Sequence, residues 1–126
     1  AARSPFTSYS SPKTLELMRD LNVEAGQWKR AGKACEYLKQ FETAATYFER
    51  GRDMVNCHRV RALAAEAAGD YQAAGDWWAA AKKPKYAAKN FARAAEAAGD
   101  FAAAAAFYTR GGLKREAARC RQLAAE

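Results

Sequence analysis

A thirty-residue repeat is the feature of this sequence that most restricts its fold. Ala64–Tyr71 reads Ala-Ala-Glu-Ala-Ala-Gly-Asp-Tyr, and Ala94–Phe101 repeats it thirty residues later with Phe in place of Tyr. Other aromatic, small and acidic residues align at the same step: Phe41, Tyr71 and Phe101; Ala44, Ala74 and Ala104; Phe48, Trp78 and Tyr108; and Glu36, Glu66, Glu96 and Glu126. A period of this length indicates stacked supersecondary units.

Each repeat has the pattern of a helical hairpin. Apolar residues recur at spacings of three and four, as in Phe41, Ala44 and Phe48, which is helical periodicity. The pairs Gly69-Asp70 and Gly99-Asp100 separate one helix from the next, because Gly accepts the left-handed conformation after a last turn and Asp caps the following helix. The fold class is therefore predicted to be all-α.

The predicted elements form one helical repeat domain over residues 11–126, a right-handed α-solenoid. A leading helix runs from about Ser11 to Val23, with Ser11 as its cap and Pro12 at its first position. Hairpins follow at about 26–50, 53–82 and 84–110, with a trailing helix at 113–126, and residues 1–10 are predicted to be flexible. Because the chain lacks an initial Met and ends inside a predicted helix, we expect it to be an excerpt of a longer protein.

The repeat resembles the tetratricopeptide family. The residues that carry the resemblance in the first hairpin are Trp28, Gly32, Phe41, Ala44, Phe48 and Gly51. The period of 30 is shorter than the usual 34, and His58 and Ala88 occupy the column of Trp28. The resemblance implies that the first helix of each hairpin, helix A, lines a concave groove that holds an extended peptide.

Composition and charge narrow the class of protein. Lys and Arg number 21 against 14 Asp and Glu, a net charge of +7, and half of the residues are hydrophobic. The odd, widely spaced cysteines Cys35, Cys57 and Cys120 favour reduced thiols in the cytosol over a disulfide framework. No apolar run is long enough for a membrane span, so we predict a soluble, cytoplasmic protein without a membrane partner.

The sequence offers no residues for catalysis, so we predict that the protein is not an enzyme. The only histidine, His58, lies in a packing column of the repeat. Cys57-His58 has no companion ligand at zinc spacing, and the glycines do not match a phosphate-binding loop. We therefore expect no catalytic, cofactor-binding or metal-binding residues, and no cofactor.

One column of the repeat is cationic throughout: Lys29, Arg59, Lys89 and Arg119, here called the basic column. Four residues further on, the sequence has Lys33, Leu63, Arg93 and Leu123, and seven residues further on it has the four aligned glutamates. These offsets share one helical face. The resemblance places this face in the groove, which predicts partner binding by Lys29, Lys33, Arg59, Lys89, Arg93 and Arg119. Alternatively, each Glu pairs with a cation of the neighbouring helix A, which adds little at exposed positions.

A second group of basic residues follows helix B, the second helix of each hairpin. It includes Lys82, Lys83 and Lys85, here called the turn cluster. Cations at helix C-termini complement the helix dipole, so the cluster can be explained without a partner. The aromatic residues of the repeat, Trp77 partly excepted, are interpreted as core, not as a platform for stacking bases.

Three functions fit this sequence. The leading hypothesis is a scaffold or protein-interaction module that binds an extended, acidic segment of a protein or peptide partner on helix A. The second is a nucleic-acid-associated extension similar to segments of large superfamily 1 helicases, which the basic charge permits. The third is a structural segment similar to trafficking or intraflagellar-transport subunits. We further expect self-association through the C-terminal end, and little loss of stability on replacing Arg59 by Ala.

Overall fold

The computed structural model describes residues 10–126, so the predicted flexible segment lies outside the described residues except for Ser10. This part of the chain contains eight α-helices and no strand, which confirms the all-α fold class. The helices are α1 (Pro12–Glu24), α2 (Trp28–Tyr37), α3 (Phe41–Arg50), α4 (Met54–Ala67), α5 (Tyr71–Ala80), α6 (Pro84–Ala97), α7 (Phe101–Arg110) and α8 (Lys114–Ala124).

The chain divides into two compact units, one ending at Arg61 and the other beginning at Ala62, so that the boundary falls within the sequence of α4. In the first unit α1 packs on α2 and α2 packs on α3. In the second unit α5, α6, α7 and α8 pack in sequence, each on the next. Consecutive packing within each unit is what hairpins with one apolar stripe require, because each stripe is buried only against a neighbour.

Local sequence sets the helix boundaries. The Ser11 hydroxyl accepts a hydrogen bond from the Thr14 amide at 3.2 Å, with Pro12 at the first helical position as predicted. Asp70 and Asp100 cap α5 and α7, each accepting from a backbone amide at 3.1 Å. The preceding Gly69 has a φ of +77°, in the left-handed region that glycine adopts without a Cβ clash.

Three basic residues also adopt this left-handed conformation, which the sequence did not indicate. Lys39, Arg52 and Lys82 have φ values of 60°, 58° and 63°. Each follows the C-terminus of a helix, where the chain must turn toward the next helix whether or not a glycine is present.

The core clusters that contain a buried aromatic ring each place that ring among small side chains. In the first unit Phe48 is 2 % exposed and packs with Cys57 and Val60 of α4. In the second unit Trp78 and Tyr108 are the buried aromatic residues, packed mainly against alanines. The remaining aromatic residues of these columns are only half-buried. This corrects the interpretation of Trp28, Tyr47, Phe91 and Phe107 as core residues, whereas Trp77 was expected to be a partial exception.

The three cysteines are free thiols and all are buried. Burial raises the pKa of the Cys35 thiol to about 11, so this thiol is unreactive at neutral pH. No helix within residues 10–126 combines the length and the apolar character that crossing a bilayer would need.

Candidate functional site

The first unit joins the basic column to the aligned glutamates by an ion pair. Arg59 of α4 donates two hydrogen bonds to the Glu36 carboxylate of α2, at 2.7 and 2.5 Å. Both side chains are about one-fifth exposed. Burial alone would raise the pKa of the Glu36 carboxyl, but the hydrogen bonds and charge of Arg59 hold that pKa below its ordinary value.

Arg59 is fixed from a second direction as well. Its Nε donates to the Asn56 side-chain oxygen at 3.0 Å, and the Asn56 amide group donates to Asp53 at 2.7 Å. The guanidinium thus connects α2 to the start of α4. This placement revises the expectation that Arg59 contributes little to stability, because its removal would leave Glu36 half-buried without its main partner.

The second unit repeats this pairing between α6 and α8. Arg119 donates to the Glu96 carboxylate at 2.5 Å, and the Tyr108 hydroxyl donates to the same oxygen at 2.8 Å. The hydrogen bond from Arg119 keeps the pKa of Glu96 below its ordinary value despite desolvation. Burial, and then the bond to Glu96, raise the pKa of the Tyr108 hydroxyl to about 12.

In the second hairpin the aligned glutamate, Glu66, also binds a neighbouring side chain: it accepts a hydrogen bond from Trp78 Nε1 at 2.8 Å. Trp78 occupies the same repeat column as Phe48 and Tyr108. Trp78 and Tyr108, which have a hydrogen-bond donor, both donate to the aligned glutamate of their hairpin, and Phe48 has no donor. The pairs Glu36–Arg59 and Glu96–Arg119 are those that the second interpretation of the basic column predicts. Glu36, Glu66 and Glu96 therefore bind the polar ends of neighbouring side chains within each unit.

The other predicted groove residues are less engaged. Lys33 lies 3.8 Å from Glu36 and near the Tyr37 ring, while the Arg93 guanidinium lies 5.5 Å from the centre of the Tyr71 ring. Lys29 is exposed and Lys89 half-buried. Within residues 10–126, no carboxylate pairs with Lys29, Lys89 or Arg93.

A shallow, polar pocket of about 480 Å³ brings two of these cations together in the second unit. Arg93 and Arg119 line it together with Glu96, Tyr71 and Tyr108. Two guanidinium groups therefore face one carboxylate, which leaves this surface with a positive charge.

A larger groove of about 800 Å³ lies on α5, the turn that follows it, α6 and α7; we call it the α5–α7 groove. Its floor is apolar and includes Ala79, Ala87, Ala88, Phe91 and Phe107. Its rim carries Lys82, Lys85 and Arg110, and no carboxylate lines the groove in the described part of the chain. An apolar floor with a few charged groups is the usual character of a ligand site.

The groove gives the turn cluster a location that the sequence did not predict. Lys82 and Lys85 are brought to the rim, whereas Lys83 is exposed and does not line it. Ala88 and Phe107 were not predicted to line a groove, because Phe107 lies in a column interpreted as core. The available signal was the change from Trp28 to Ala88 within one repeat column.

No group of three or more His, Cys, Asp or Glu side chains in residues 10–126 has the arrangement to hold a metal ion. No family model, no curated protein and no solved structure matches this chain.

Proposed function

We propose that this chain is a non-enzymatic, tetratricopeptide-like interaction module of a cytoplasmic scaffold, and that it binds an extended acidic segment of a protein partner along the helix A face. The observation that supports this most is that three of the six predicted groove residues have no carboxylate partner within residues 10–126: Lys29, Lys89 and Arg93. Such residues are available for charge-assisted hydrogen bonds to a partner's carboxylates.

The six predicted residues then have two different roles. Arg59 and Arg119 are bound by glutamates of the chain and hold the helices together, so they position the face instead of providing its free charge. Lys33 shares Glu36 with Arg59 and is a weaker contributor. Lys29, Lys89 and Arg93 carry the recognition.

The test is the binding of a capped oligoglutamate peptide, measured by calorimetry at two salt concentrations. Replacing Lys29, Lys89 and Arg93 together by Glu should weaken binding by at least about tenfold, because like charges would then face the peptide. The matched control replaces Lys13, Lys114 and Arg121 by Glu, since these exposed residues lie outside the basic column and change the net charge equally. Equal losses for the two variants would contradict a defined site.

Duplex and single-stranded DNA are the comparison probes in the same titration. If the chain binds nucleic acid, its affinity for DNA should fall with salt concentration, with a log–log slope of roughly 0.7 to 0.9 per phosphate neutralised. DNA should also outcompete the peptide. If neither probe binds, the structural-segment hypothesis is favoured. Sedimentation of the chain across a concentration series tests the expected self-association.

A further inference from the structure

The first hairpin contains an aromatic arrangement whose counterpart in the third hairpin lacks one ring. In the first hairpin the Trp28 indole stacks on Tyr47, with ring centres 5.9 Å apart. The Arg50 guanidinium lies over the same indole, 4.8 Å from its centre. One large ring is thus held between a second ring and a cation, a favourable arrangement for the π-face of an indole.

The repeat places Ala88, Phe107 and Arg110 at the equivalent positions, sixty residues further on. Here Phe107 and Arg110 are present, with the guanidinium 5.5 Å from the centre of the Phe107 ring, but the indole is replaced by a methyl group. Ala88, Phe107 and Arg110 all line the α5–α7 groove. The groove therefore lies beside the position that corresponds to the Trp28 side chain.

The local backbone supports this equivalence. A Cβ atom built on Gly51 would come within 3.4 Å of Trp28 Cβ, and one built on Gly111 would come within 3.6 Å of Ala88 Cβ. Gly51 and Gly111 occupy the same repeat column. Helix A begins at Trp28 in the first hairpin and four residues before Ala88 in the third, but residues 28 and 88 both lie against the glycine that follows helix B.

Phe91 occupies a different repeat position from the missing ring, because its counterpart in the first hairpin is Ala31. A Cβ atom on Gly75 would meet the Phe91 ring at 2.4 Å, so this ring occupies the space that the glycine of α5 leaves open. Phe91 also contacts Phe107, with ring centres 5.6 Å apart. It lines the groove together with Ala88, whose side chain is 7 % exposed.

We infer that the α5–α7 groove is a second binding site, which takes a tryptophan side chain flanked by acidic residues in a segment of a partner protein. The indole would lie on Phe107 beneath Arg110, as Trp28 lies on Tyr47 beneath Arg50. The flanking carboxylates would meet Lys82 and Lys85. Charge complementarity requires an acidic segment, because all three charged groups of the groove are cations and none is neutralised by a lining carboxylate in the described residues.

This site is separate from the helix A face proposed above, and the probes distinguish the two. The probe for the groove is a short capped peptide with one tryptophan between acidic residues, with binding measured by tryptophan-independent fluorescence anisotropy of a terminal dye. Two altered peptides accompany it: one with Ser in place of Trp, and one with Gln and Asn in place of the acids. Each should bind at least about tenfold more weakly than the parent peptide.

The decisive variant is Ala88→Trp. Its own indole should occupy the groove as Trp28 does in the first hairpin, so affinity for the tryptophan peptide should fall at least about tenfold while oligoglutamate binding stays unchanged. Ala102→Trp is the matched control, because it adds the same ring at an exposed position of α7 that does not line the groove. Far-UV circular dichroism of both variants checks that the helices remain.

A second pair of variants tests the cationic rim. The double variant Lys85→Glu, Arg110→Glu should bind the tryptophan peptide at least about tenfold more weakly. The double variant Lys83→Glu, Lys114→Glu should bind it with unchanged affinity, despite the same change in net charge. Unaltered binding to the Ala88→Trp variant, equal affinity for the Ser peptide, preference for DNA, or no binding by the parent chain would each overturn the inference. Loss of oligoglutamate binding alone would affect only the helix A proposal.

Discussion

The first and third hairpins share a repeat but differ in what completes their packing. In the first hairpin the chain supplies its own indole at Trp28, and the Glu36–Arg59 pair is largely withdrawn from solvent. In the third hairpin Ala88 leaves a groove, and the equivalent Glu96–Arg119 pair has an arginine that is half exposed. A repeat can therefore keep its backbone while the indole is supplied by the chain in one copy and a groove remains in another.

The largest expected effect tests whether the two hairpins share a core position. Phe48→Ala should lower the free energy of unfolding by about 3–5 kcal/mol, because truncating a buried aromatic side chain loses transfer energy and leaves a cavity. Phe48 is 2 % exposed and Tyr108, in the same column, is 5 % exposed. Tyr108→Ala should thus cost a similar amount in urea denaturation, and a near-neutral result would show that the column is not equivalent.

The next largest effect is expected from exchanging the residues that distinguish the two hairpins, Trp28 and Ala88. Trp28→Ala should cost about 2 kcal/mol, less than a fully buried Trp, because this ring is only half-buried. Ala88 is itself only 7 % exposed but lines the groove, so Ala88→Trp should leave stability within about 1 kcal/mol of the parent or raise it. Ala92→Trp is the control, because Ala92 is fully buried and a ring there should prevent folding or cost several kcal/mol. Thermal and urea melts measure all three variants.

A smaller effect separates the two ion pairs. Glu36→Gln should cost about 2 kcal/mol at neutral pH, since it removes charge-assisted hydrogen bonds to Arg59 at a half-buried site. Glu96→Gln should cost less, because Arg119 is half exposed and screened by solvent. Since the pKa of Glu36 is lowered in the folded state, its contribution is present above about pH 4.3 and is lost as pH falls through the folded pKa. Urea melts at pH 7 and pH 3 should therefore show the Glu36→Gln difference shrinking; a constant difference would argue against the pair.

The smallest effect concerns the hydroxyl that only the third hairpin has in this column. The pKa of Tyr108 is raised to about 12, so the folded state retains the proton longer than the unfolded chain, whose Tyr pKa is about 10. The stabilisation is therefore present below about pH 10 and is lost as pH rises toward 12. Between pH 9 and pH 11, the free energy of unfolding measured in urea melts should therefore decrease less for the Tyr108→Phe variant than for the parent. The Cys35 thiol, whose pKa is raised to about 11, titrates in both proteins and cancels in the difference.

Much of the local structure was predictable from the sequence. Period, capping residues and apolar spacing indicated all-α hairpins, and Ser11, Asp70 and Asp100 cap helices as expected. These features depend on residues within a few positions of one another, so their physics is contained in short segments. The repeat also identified the glutamate and cation columns, although it left open whether they bind each other or a partner.

Tertiary packing decided how those columns are used. Sequence alone could not show that Arg59 is held by Glu36 and Asn56, because these contacts depend on the distance between α2 and α4. It also could not show that Lys82, Lys85 and Arg110 surround an apolar groove, since their neighbours come from separate helices. The substitution of Trp28 by Ala88 is visible in the sequence, but whether a lost ring is refilled depends on side chains such as Phe91 and on the space beside Gly75. The space between helices is filled by side chains from elements that are distant in sequence. For that reason only the assembled hairpins determine where a groove remains open.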